Sequence, residues 1–69
     1  MTIGASQVGP RLRSILKDRE RIEFGDLCRQ VYERPYADLR PIQREIVASE
    51  LVEMRWSKRS GESVWVNER

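Results

Sequence analysis

The apolar positions of this chain change period along its length. Val8, Leu12, Ile15 and Leu16 fall at i, i+4, i+7 and i+8, one stripe of an amphipathic helix. Ser6 is placed to cap that helix, with Gly9-Pro10 in its first turn, where a missing amide costs little. Residues 1–5 are small or flexible and read as a tail, and the charged run "KDRER" reads as a solvated helix end. "RIEF" then alternates, putting Ile22 and Phe24 on one face of a short strand. Asp26 offers an N-cap to a second helix whose inner face is Leu27, Cys28 and Val31, with Tyr32 at its edge. Pro35 ends that helix by disfavouring helical geometry at Arg34.

A third helix is expected over 39–50, capped by Asp38, with Pro41 inside its first turn. On a wheel of ~100° per residue, Ile42, Ile46 and Ser49 cluster as the expected core stripe. Arg40, Gln43, Arg44 and Val47 share another quadrant, the expected outward face. From Leu51 the pattern alternates again, Val52, Met54 and Trp56 against Leu51, Glu53 and Arg55. "SVWV" follows a polar loop containing Gly61. These two β-prone runs predict an antiparallel hairpin with a loop at 57–62, at least one of its tryptophans, Trp56 and Trp65, closing the core, while an exposed one would mark a partner surface. The fold class is α+β, in the order helix, strand, helix, helix, strand, strand.

Composition narrows the chemistry. Sixty-nine residues make one domain, here 6–69 behind the tail, near the lower size limit for folding alone. Met1 favours a complete protein. With 39% hydrophobic and 35% charged residues, the chain has enough apolar side chains for a core and enough charge for solubility. Nothing approaches the ~20 consecutive apolar residues that cross a bilayer, and the start lacks the pattern of a signal peptide, so the expected location is the cytoplasm. One cysteine forms no internal disulfide, and it reads as a small core residue. The absence of histidine removes the usual zinc sets and the commonest acid/base, and excludes Cys–His or Ser–His nucleophiles. Neither an enzyme nor a cofactor, metal or small-molecule ligand is expected. A net charge of +2 is too small to announce a nucleic-acid partner, so placement of charge must carry the reading.

The element order, with "EFGDLCRQVYE", "DLRPIQREI" and "VEMRWSKRSGESVWV" as its most specific pieces, resembles the winged helix-turn-helix domain over Val8 to Val66. The sequence departs from that pattern at Ser49, where a large apolar residue is common. The resemblance implies that the third helix enters the major groove of double-stranded DNA while the hairpin loop touches backbone or minor groove. Arg40 and Arg44 then donate forked hydrogen bonds to guanine or grip phosphates, Gln43 pairs with adenine, and Val47 meets a thymine methyl. Lys58 and Arg59 reach phosphates or a narrow minor groove from the loop, and Arg34 adds a phosphate contact from the turn. Tyr32 and Tyr36, beside that turn, either pack or send a hydroxyl to a phosphate. The implied role is a small transcriptional regulator, helped by homodimerisation because a single small module binds weakly.

Each of these signals also has a structural reading, since outward arginines are often solvated and basic hairpins protect sheet edges. A protein-interaction module on the same scaffold is the chief rival, because Glu45, Glu50, Glu53 and Glu62 would repel phosphate if they faced a duplex. RNA binding ranks lower for want of exposed aromatic rings.

Overall fold

Why each element begins and ends where it does is visible in the computed structural model, which describes residues 4–59 and 64–68. Helix α1 (Ala5–Leu16) starts one residue before Ser6, with Gly4 as its N-cap. Gln7 Oε1 accepts a hydrogen bond from the Gly4 amide at 3.3 Å, so a glutamine side chain does the work expected of the serine. Pro10 thus sits deeper than the first turn, where it leaves the carbonyl four residues back without its helical donor. It is exposed, which leaves that carbonyl to water. Gly4 and Ala5 belong to this helix end, and residues 1–3 of the expected tail lie outside the described residues.

Strand β1 (Arg21–Glu23) leads directly into helix α2 (Phe24–Tyr32). Asp26 is not the cap; Glu23 is, and Asp26 lies in the first turn, where its charge suits the helix dipole. The helix stops at Glu33, whose left-handed backbone (φ 54°) turns the chain. A short 3-10 turn (Tyr36–Asp38) and then helix α3 (Pro41–Glu53) follow. Arg40, not Asp38, caps α3, and its amide donates to Gln43 Oε1 at 2.8 Å. Pro41 occupies the first helical position, where its fixed φ is preorganised.

The expected alternation after Leu51 is overridden. The helix runs on to Glu53 because Leu51 and Val47, four apart, are both fully buried on one side of it. Arg55, at φ 66°, makes the break into β2 (Trp56–Arg59). With β3 (Val64–Asn67) this forms an antiparallel three-stranded sheet ordered β1-β3-β2. Ile22, Trp65 and Lys58 stand in register across it. Trp56, two residues from Lys58, shares their face, and both tryptophans are buried. The α+β class and the element order read from the sequence are therefore present. Residues 60–62 of the expected loop lie outside the described residues, while residues 57–59 are strand.

One core joins all of this. Val8, Leu12 and Leu16 of α1 meet Leu27, Cys28, Val31 and Tyr32 of α2, Val47 and Leu51 of α3, and Ile22, Trp56 and Trp65 of the sheet. Leu39 closes it beneath the turn. Where α1 crosses α3, a Cβ on Gly9 would stand 3.5 Å from Glu50 Oε2, an ordinary contact that leaves little spare room. Among the described residues no helix is long and apolar enough to cross a membrane.

Candidate nucleic-acid interface

The third helix is rotated relative to the sequence expectation. Val47 is fully buried, so it cannot meet a thymine methyl. Ile42, expected in the core, is 57% exposed, and Ser49 is exposed as well. The reason lies in two competing apolar stripes on one helix. Ile42 and Ile46 repeat four apart, but so do Val47 and Leu51, which pack against α1 and the sheet. Only the second stripe leads on to Met54, which packs against the same core. The outward face is then Ile42, Glu45, Ser49, Val52 and Glu53, all exposed, bearing two carboxylates and no cation.

This rotation redistributes the expected DNA contacts. Gln43 is half-buried, and its side-chain oxygen is engaged with the Arg40 amide. Its backbone carbonyl accepts from Tyr32 Oη at 3.1 Å, tying α3 to α2. Arg44 is half-buried too and folds back, its guanidinium carbon 5.2 Å from the centre of the Tyr36 ring. Arg40 remains exposed at the helix start. Lys58 and Arg59 are both exposed, but consecutive strand residues point to opposite faces. Lys58 shares the face of Trp65, whereas Arg59 pairs with Val64 on the outer face, alongside Glu23. They do not act as one basic tip.

What the fold does bring together is a different grouping. Arg34, Asp38, Arg40 and Gln43 line an open cleft of roughly 350 Å³ at the start of α3. The first amides of α3 lack helical acceptors, and that end of the helix favours an anion. A second cleft, roughly 210 Å³, is lined by Phe24, Tyr36, Ala48, Lys58 and Trp65. Arg44 links the two, one turn along from Arg40 and stacked on Tyr36. Four cations therefore run along one flank of α3, and Asp38 is the one carboxylate among the described residues that line either cleft. The second cleft was not legible from the chain, because Phe24 and Ala48 carry no charge and come together only on folding.

Among the described residues the buried groups with raised proton affinity are Cys28 and Tyr32. Cys28 is fully buried, and burial pushes its thiol up to about 12, with the charge of Arg44 pulling weakly the other way. A thiol held protonated is a poor nucleophile. Burial, and secondarily Cys28, also raises the Tyr32 hydroxyl, which keeps it a donor to Gln43. Among the described residues the ion pairs are Arg11–Glu33 (2.9 Å) and Arg29–Asp26 (3.0 Å), both exposed, and neither involves Arg34, Arg40, Arg44 or Lys58. Among the described residues no group of three His, Cys, Asp or Glu side chains is placed to hold a metal ion. Comparison with protein-family models, with curated proteins and with solved structures returned no match for this chain.

Proposed function

We propose that this chain is a winged helix-turn-helix domain that binds double-stranded DNA chiefly through the phosphate backbone. The helix order and the β1-β3-β2 strand order are consistent with that scaffold. One observation carries the reading: Arg34, Arg40, Arg44 and Lys58 line or bridge two neighbouring clefts at the N-terminal half of α3. Lysines and arginines spaced along one flank, beside a helix N-terminus, are what phosphate contact requires. Base reading by Gln43 and Val47 is not part of the proposal, since the first caps the helix and the second is buried. Arg40, the exposed residue that caps α3, is the side chain placed to reach a base edge. Binding is therefore expected to be tight only at low salt and to vary little with sequence, as suits a regulator that relies on self-association or a partner protein for selectivity.

Titration of a random-sequence duplex, followed by anisotropy over a range of salt, tests this. Four phosphate contacts give a log–log salt slope of about −3.6, from roughly −0.9 per contact. Changing Arg34, Arg40, Arg44 or Lys58 to Ala should flatten that slope by about one each, whereas Arg13→Ala on α1 should leave it alone. Absence of binding at low salt, or binding indifferent to all four substitutions, overturns the proposal.

A second reading has its own observation. The outward face of α3 exposes Ile42 (57%) and Val52 (61%) between Glu45, Ser49 and Glu53. Such a face suits a protein surface better than a duplex, because its carboxylates would lie against phosphates. If no duplex binds at low salt, a protein-interaction module on this scaffold becomes the preferred account.

A further inference from the structure

The cleft beside Lys58 differs from its neighbour in chemistry. The first is walled by charge, the second by three aromatic rings. Phe24 meets Tyr36 edge-on, with centroids 6.3 Å apart at 77°, and meets Trp65 at 6.0 Å and 43°. Tyr36 is 38% exposed, so its ring is partly open to solvent. Ala48, a single methyl on α3, leaves the space between the rings and the helix unfilled. At roughly 210 Å³ the cleft is smaller than the ~300–1,000 Å³ pockets that hold drug-sized ligands, and it suits one planar ring system. Its charged residue is Lys58, and Arg44 stacks on Tyr36 from α3, so a ring that also carries a negative group fits best. Trp65, 6% exposed, forms a buried wall of the cleft.

We infer that this aromatic cleft receives an unpaired nucleobase of a DNA strand, with the adjoining phosphate held by Lys58 and Arg44. A base supplies the planar π-face that stacks on Tyr36. The inference rests on the nucleic-acid reading above, but it names a different substrate class, a single-stranded or locally opened strand. It also gives Phe24, Tyr36 and Ala48 a role that phosphate contact does not.

Anisotropy with three labelled probes of equal length separates the two: oligothymidylate, an abasic strand, and a duplex. Stacking of one base is worth ~1–3 kcal/mol, so oligothymidylate should bind about 5- to 150-fold more tightly than the abasic strand. Ala48→Leu fills the cleft with a helix-compatible side chain. It should abolish that preference while leaving abasic and duplex affinities unchanged. Tyr36→Ala, checked for folding by circular dichroism, should also abolish the preference of oligothymidylate over the abasic strand. Equal affinity for oligothymidylate and the abasic strand overturns the inference, as does a preference that survives both substitutions. A base preference without duplex binding sinks the duplex reading and leaves this inference standing; duplex binding without a base preference does the reverse.

Discussion

The two sides of helix α3 make an informative pair. On the inner side Val47 and Leu51 are fully buried; on the outer side Ile42 and Val52 are more than half exposed. All four are aliphatic; Val47 and Leu51 repeat four apart, and Ile42 and Val52 share the opposite face. What separates them is the company each keeps across space. The inner pair faces Leu12 of α1 and Trp56 of the sheet within one core, whereas the outer pair stands among Glu45, Ser49 and Glu53. A helix with low amphipathic contrast can thus be oriented by its neighbours more than by its own pattern.

The sharpest way to break this comparison is to truncate one residue on each side. Leu51→Ala should cost about 2–5 kcal/mol, the range for buried leucines, and in so small a domain that could abolish cooperative unfolding in urea at room temperature. Only a cost as small as that of an outer-face substitution would show that the helix is turned the other way.

The next effect is read by pH. The Cys28 thiol rises in the folded state from 9.0 to about 12, so the folded protein binds more protons than the unfolded chain between those values. Its contribution to stability is fully present below pH 9.0 and is lost as pH rises through about 12. Denaturant midpoints should fall across that window, and Cys28→Ala should fall less steeply. Below it, the native thiol should resist a thiol-reactive dye that labels the unfolded chain.

A smaller effect is expected at the seam between the two sides. Tyr32→Phe removes the hydrogen bond to the Gln43 carbonyl and should cost about 0.5–1.5 kcal/mol by chemical denaturation. Smallest of all, Ile42→Ser and Val52→Thr should change stability by no more than about 0.5 kcal/mol, as exposed substitutions usually do. A larger loss at either position would mean that the outer side is covered in solution, and sedimentation would then show whether a second copy covers it.

Legibility varied in the same way across the molecule. The stripe of α1 could be read because Val8, Leu12, Ile15 and Leu16 offer one apolar face and no competitor. The inner residues of α2 followed equally from pattern, and burial of one sheet tryptophan was expected where both are buried. Caps were misplaced at all three helices, since backbone amides took their acceptors from Gln7 and Gln43 rather than from Ser6 or Asp38. The candidate site suffered most. Arg34, Arg40, Arg44 and Lys58 were named from the sequence and do share one flank, but Gln43, Val47 and Arg59 were assigned to it on a helix rotation and a loop that the fold does not adopt.

Local order along the chain was enough to set the element types, their succession and the stock of cations, because helical and strand periods are properties of neighbouring residues. The rotation of α3, the parting of Lys58 from Arg59 and the meeting of Phe24, Tyr36 and Trp65 were decided only on folding. Each depends on which apolar stripe finds the deeper burial against partners distant in sequence, and no window along the chain contains that comparison.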